Sequence, residues 1–173
     1  MQASKNWSIE ARALKIKYTP FTHNFWVLVN PNNSIIDQIH GLAVDPNTGV
    51  IKAIGNSNHL LQVIQDATII WSLQSGQATM TCVADQESVV KNRWQRAINS
   101  IPAINSLRLP YPNLWQHSYR KNSNTVFNTI GQIMGFPSPA QLLATRSPGI
   151  NLVISKAIIN HYLYNPLSLQ QKP

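Results

Sequence analysis

The chain holds a single cysteine, Cys82, among 173 residues, which rules out an intrachain disulfide. No His-Glu-x-x-His or paired Cys-x-x-Cys spacing offers a metal cage. Glycine is sparse at seven residues, arranged as neither a phosphate loop nor a dinucleotide fingerprint. No cofactor is therefore predicted. Charged residues make up 12% of the chain against 43% hydrophobic ones, so Asn, Gln, Ser and Thr must supply much of the polar surface. Asp37, Asp45, Asp66 and Asp85 fall in turn and strand contexts and form no persuasive acid–base pair. No stretch of eighteen apolar residues occurs, so no membrane span is predicted. The N-terminal MQASKNWSIEARALKIKY lacks a long apolar core, so no signal peptide is predicted.

Acids are the scarcest class. Fourteen Lys and Arg stand against six Asp and Glu, a formal charge of +8. Such a chain is drawn to lipid headgroups, cell-wall polymer or nucleic acid. The charge is dispersed in small groups: Lys15 and Lys17; Lys91, Arg93 and Arg96; Arg120 and Lys121. The absence of a basic run, a finger spacing or an arginine-rich arm speaks against nucleic acid.

The length suits one domain, read as residues 1–165 with a frayed tail over 166–173. Strands come first: LKIKY (14–18), FWVLVN (25–30), IIDQIHGLAV (35–44) and VIKAIG (50–55). PNNS and DPNTG are turns between them, and the last three runs form an antiparallel meander. Gly41 marks a bulge or a close backbone approach. Residues 56–73 read as either helix or strand, and 77–84 as a strand. Over 86–101 apolar residues recur at helical spacing (Val89, Val90, Trp94, Ala97, Ile98, Ile101), with Asp85 as N-cap. Trp26 and Trp71 read as core, and Lys91, Arg93 and Arg96 as a solvated face. A proline-marked connector over 101–121 carries Tyr111, Trp115 and Tyr119. A second helix runs from Ser123 or Asn124 to about Met134, with Val126, Phe127, Ile130 and Met134 on one face. Gly135 closes it and Pro137 enforces the stop. A short helix is expected within 138–145, and a helix or strand within 150–164. The predicted class is α+β, an antiparallel sheet with helices packed on it.

Serine is unreactive until a base takes its proton, and histidine is the usual base. His23 opens the strand THNFWVLV and His40 lies late in the next. If these strands are antiparallel neighbours, both rings sit near one sheet end. One serves as base and the other orients it. Ser123 in NSNTVF stands where unpaired helix N–H groups and the helix dipole stabilise an oxyanion. Each of these has a plain alternative. A serine before a helix commonly caps it, as Asn122 or Asn124 would equally. His23 and His40 are otherwise ordinary hydrogen-bonding sheet residues. Cys82, in TMTCVAD, reads as a buried inert thiol, with a nucleophile as the minor alternative. His117 lies just before Ser123 and either touches substrate or replaces His40. His59 and His161 have no evident partner.

NSNTVFNTIGQIMG, with HNFWVLVNPNNSIIDQIHGLAVDP upstream, resembles the circularly permuted papain-like enzymes. These are the NlpC/P60-related hydrolases and the lecithin:retinol acyltransferase-like proteins. In that group the histidine strand precedes a nucleophilic cysteine that starts a helix. The resemblance places Ser123 at the cysteine, Asn122 at its preceding asparagine, His23 at the catalytic histidine and His40 at the second polar residue. It covers about a third of the chain, and serine for cysteine is its departure, which demands a better-placed base. It implies acyl transfer on an amide or ester, with Ser123, His23 and His40 catalytic and Asn122 and His117 supporting. Tyr111, Trp115, Tyr119, Arg120 and Lys121 would bind an anionic envelope substrate, peptidoglycan or phospholipid. It further implies a bacterial antagonistic effector, delivered without a cleavable signal, with an immunity protein as partner and peripheral membrane contact. A cytoplasmic location is the lesser alternative. The alternative is a non-catalytic domain of the same fold that holds an anionic polymer, a membrane or a partner protein.

Overall fold

A computed structural model describes residues 6–165; the expected C-terminal tail lies outside them. Among the described residues there are six strands and three α-helices. The strands are β1 (Trp7–Lys15), β2 (Thr22–Val29), β3 (Ile35–Val44), β4 (Ile51–Lys52), β5 (Leu60–Gln65) and β6 (Ala78–Asp85). The helices are α1 (Glu87–Ser106), α2 (Ser123–Ile133) and α3 (Lys156–Tyr164). All pairings are antiparallel, in the order β4-β3-β2-β1-β6, with β5 also on β3. The class is α+β, as the run of strands before helices predicts.

Alternation along β2 assigns its two faces. Trp26 and Leu28 point to the helix layer, where Trp26 stacks on Phe127 at 4.4 Å and its indole N–H donates to the Phe127 carbonyl at 2.9 Å. Phe25, Val27 and Val29 point the other way, under the loop that carries Leu73. The helix-side core joins Ile9, Ile39, Ala43, Val90, Trp94, Ile130 and Ile133, all buried. Burial of each such large side chain contributes roughly 1.5–3 kcal/mol.

The split of β3 between neighbours shapes the functional region. Its pairing with β2 ends at Trp26/Ile39. Beyond that point β5 takes one edge of β3 up to Val44, so β4, on Ala43 and Val44, must occupy the edge that β2 has left. A gap opens between β2 and β4, beside His40–Leu42.

Several expectations are corrected. LKIKY is the end of a longer β1, and its second half is a turn. The third strand of the meander shrinks to Ile51–Lys52, and LLQVIQ, at the start of the ambiguous 56–73 segment, becomes β5. TIIW ends in a single 3-10 turn, Ile70–Ser72, and leaves Trp71 49% exposed instead of in the core. The N-cap of α1 is Gln86, not Asp85, whose carboxylate accepts from the Gln86 N–H at 2.7 Å. Helix α1 runs on through Pro102 to Ser106, and Val89 is exposed. Arg93 and Arg96 are not merely solvated: they donate to the Met134 carbonyl at the end of α2, and Arg96 also to the Leu163 carbonyl near the end of α3. Cations there satisfy unpaired carbonyls and oppose the helix dipoles. Only Pro139–Gln141 of the 138–145 segment is helical, as a 3-10 turn. No helix among the described residues is long and apolar enough to cross a membrane.

Candidate active site

The start of α2 is locked in place by side-chain amides. Asn122, fully buried, is the N-cap: its Oδ1 accepts from the Asn124 and Thr125 N–H groups, and Thr125 Oγ1 accepts from the Asn122 N–H. Its Nδ2 donates to the His117 and Pro148 carbonyls. Asn122 is thus structural, with every polar atom committed. Capping by Ser123 is overturned; Ser123 is the first helical residue, and its hydroxyl takes no part in the cap.

Asn124 ties this helix to the histidine strand. Its Oδ1 accepts from the Asn24 N–H at 2.9 Å, and its Nδ2 donates to the Thr22 carbonyl at 3.0 Å. These backbone groups flank His23 on both sides. On β3, Gly41 supplies the close approach: a Cβ there would lie 2.5 Å from Val126 Cβ and 3.0 Å from Ser123 Cα. Ser123 reaches the β2–β4 gap from the helix side of the sheet. His23, in phase with Phe25, reaches it from the other side. Both line one cleft of about 650 Å³. No hydrogen bond joins Ser123 Oγ to His23.

Behind His23 runs a buried polar chain. His23 Nε2 meets His40 Nδ1 at 3.0 Å, and His40 Nε2 meets Gln38 Oε1 at 3.2 Å. Gln38 Nε2 donates to the Ile69 carbonyl at 3.1 Å, and Ser72 Oγ donates within 2.9 Å of both Gln38 Oε1 and that carbonyl. A carbonyl only accepts, so Ile69 orients the Gln38 amide. Gln38 Oε1 must then receive a proton from His40 Nε2. A neutral His40 ring leaves Nδ1 as acceptor, so His23 Nε2 carries the hydrogen between the rings. His23 Nδ1 is left with a lone pair. It has no hydrogen-bond partner among the described residues, and His23 lines the cleft.

Electrostatics hold these protonation states. Burial lowers the His23 pKa to about 4, and burial together with the neighbouring His23 lowers that of His40 further. Both rings are neutral near pH 7. Trp71 lies against both rings, at centroid distances of 6.4 and 6.0 Å, and lines the cleft.

Tyr111 joins the site from the connector. Gly55 makes room for it: a Cβ there would meet the Tyr111 ring at 2.2 Å. Burial raises the phenol pKa, against the opposing pull of the Ser123 hydroxyl and main-chain N–H beside it. Tyr111 therefore stays an O–H donor next to the nucleophile candidate. It also lines a second cavity, about 510 Å³, with Tyr119, Arg120 and Lys121. Lys121 Nζ is held by the Ile154 carbonyl at 2.8 Å. Trp115 is 71% exposed, packs beside Tyr119 and lines neither cavity.

His117 lines neither cavity. It packs edge-on to Tyr111 at 5.5 Å, its Nε2 is buried without a partner, and burial lowers its pKa. Cys82 lies on β6, away from the cleft lining, and burial raises its thiol to about 11, which leaves it protonated. Among the described residues no group of three or more His, Cys, Asp or Glu is placed to hold a metal ion. Sequence reasoning missed Gln38, Ser72 and Asn124. The first had a signal, since QIH puts Gln38 and His40 on one strand face. No protein-family model, curated protein or solved structure matches this chain.

Proposed function

We propose that the protein is a serine hydrolase of permuted papain-like type, acting on an amide or ester bond of an anionic cell-envelope substrate. One observation carries the reading: Ile69, Gln38 and His40 fix the His23 tautomer and leave its Nδ1 with a lone pair, and His23 and Ser123 line one cleft.

In this mechanism His23 Nδ1 takes the Ser123 proton as Oγ bonds to the substrate carbonyl carbon. The imidazolium is steadied by the His40 Nδ1 lone pair. The Tyr111 O–H, beside Ser123, donates to the oxyanion, and the positive end of α2 stabilises its charge. The tetrahedral intermediate collapses, the carbonyl–leaving-group bond breaks, and His23 returns the proton to the leaving amine or alcohol. Water, activated by His23, adds to the acyl carbon and releases the acid and free Ser123.

The excess of basic residues favours an anionic substrate, peptidoglycan or phospholipid, with Arg120 and Lys121 beside the second cavity. A bacterial antagonistic effector, delivered to its target and neutralised by an immunity protein, fits this chemistry. A second reading, a binding domain without catalysis, draws on Ser123 being only 7% exposed. Fluorophosphonate labelling separates the two. Labelling of the parent, abolished in folded Ser123→Ala and cut by about 10²-fold or more in His23→Ala, is expected. Labelling that persists in Ser123→Ala moves the nucleophile elsewhere. No turnover or labelling, with hydrolysis absent on both lipid and peptidoglycan, leaves the binding domain.

A further inference from the structure

We propose that the mouth of the cleft docks on an anionic lipid surface. The proposal names the partner face of the envelope-directed reading above, and its residues lie outside the nucleophile and its relay. Large apolar side chains are normally scattered singly on a soluble surface. Here they gather at three turns that rim one opening. Tyr18, at the β1–β2 turn, is fully exposed; Ile54, just after β4, is 71% exposed; Ile70, in the 3-10 turn beside Trp71, is 75% exposed. Tyr18, Ile54 and Trp71 all line the cleft.

The same rim is basic. Lys15, Lys17 and Lys52 line the cleft, and no acid does. Asp45 pairs with Lys52 at 3.4 Å and leaves Lys15 and Lys17 without an ion pair among the described residues. Lysine stems lie along apolar surface while their ammonium groups reach phosphate. Apolar tips interleaved with lysines match the headgroup boundary of an anionic bilayer. A protein partner needs a surface shaped to all three turns at once, with core packing like a protein interior. A bilayer needs only apolar tips and lysines around one opening, and Tyr18, Ile54, Trp71, Lys15 and Lys17 line the same cleft.

The test uses the whole chain carrying Ser123→Ala, so that vesicles are not consumed. Sedimentation with phosphatidylglycerol-containing vesicles is compared with phosphatidylcholine vesicles and with soluble polyglutamate. Binding to the anionic vesicles alone is expected. Lys15→Gln/Lys17→Gln should weaken it about thirtyfold, and Tyr18→Ser/Ile54→Ser at least tenfold, with unchanged circular dichroism. Absence of anionic-vesicle binding, or binding unmoved by both double variants, overturns the proposal. So does polyglutamate binding of equal strength that ignores Tyr18→Ser/Ile54→Ser, which identifies an acidic protein surface instead. Fluorophosphonate labelling and turnover by the native serine are read separately: labelling without vesicle binding sinks the docking face alone, and vesicle binding with neither labelling nor hydrolysis sinks the hydrolase alone.

Discussion

The proton on His23 is placed by a peptide carbonyl two side chains away. Ile69 orients Gln38, Gln38 selects the His40 tautomer, and His40 selects that of His23. Replacing Gln38 with Leu removes the acceptor for His40 Nε2–H and for the Ser72 hydroxyl. The Ser72 hydroxyl keeps the Ile69 carbonyl at 2.9 Å, so one buried donor, His40 Nε2–H, is left without its partner at a cost of about 1–3 kcal/mol, which urea titration will register. The rate of fluorophosphonate labelling should fall tenfold or more, short of the ~10²–10⁴ supplied by a general base itself. Labelling at the native rate in Gln38→Leu would exclude the relay. The low pKa of His23 sets a second expectation: the acid limb of kcat/KM should lie near pH 4, not near 6.5.

At the scale of elements, the site depends on how closely the start of α2 sits on β3 and β2. Gly41→Ala puts a methyl 2.5 Å from Val126 Cβ, so the helix must shift away from the sheet. Overpacking of this kind costs about 1–3 kcal/mol, and the shift carries Ser123 with it. Asn124→Ala leaves the Asn24 N–H and the Thr22 carbonyl without this partner, on either side of His23. Each variant should lose at least tenfold in labelling. A variant as active as the parent, measured at a temperature where both are folded, would show that this clamp does not position the site. The elements themselves were legible: β2, β3 and α2 match their sequence patterns within a few residues. The close approach at Gly41 was one of two options the sequence left. Helix or strand for 56–65 was not legible, because LLQVIQ suits both periods and its strand state comes from pairing with β3. The cap at Asn122 was not separable from one at Ser123, since both residues can cap and only the position of the first helical turn chooses.

For the molecule as a whole, the buried neutral histidines make folding pH-dependent. The unfolded chain protonates His23 near its ordinary 6.5, while the folded chain resists until about 4. The unfolded state therefore binds more protons across that window, so stability is fully present above about 6.5 and is lost as pH falls toward 4. His23 alone accounts for a loss of order 3 kcal/mol, and urea midpoints at neutral and acid pH will read it. His23→Gln should remove about half of the slope over this window, since His40, also held neutral by burial, supplies the rest; an unchanged slope would remove His23 as a contributor. Composition and pattern determined much at this scale: an α+β class, no disulfide, a strong excess of basic charge, and a serine at a helix start downstream of two histidine strands. Those features are local, written in residue type and in periods of two and 3.6. Tertiary structure alone decided that β2 and β4 share one edge of β3 and leave a gap between them. It alone brought Ile69, Gln38, His40 and His23 into one hydrogen-bonded line, and put Trp71 at the rim of the cleft instead of the core. The reason is physical: pairing register and the orientation of a buried amide depend on partners far apart in the chain, and no local pattern encodes them.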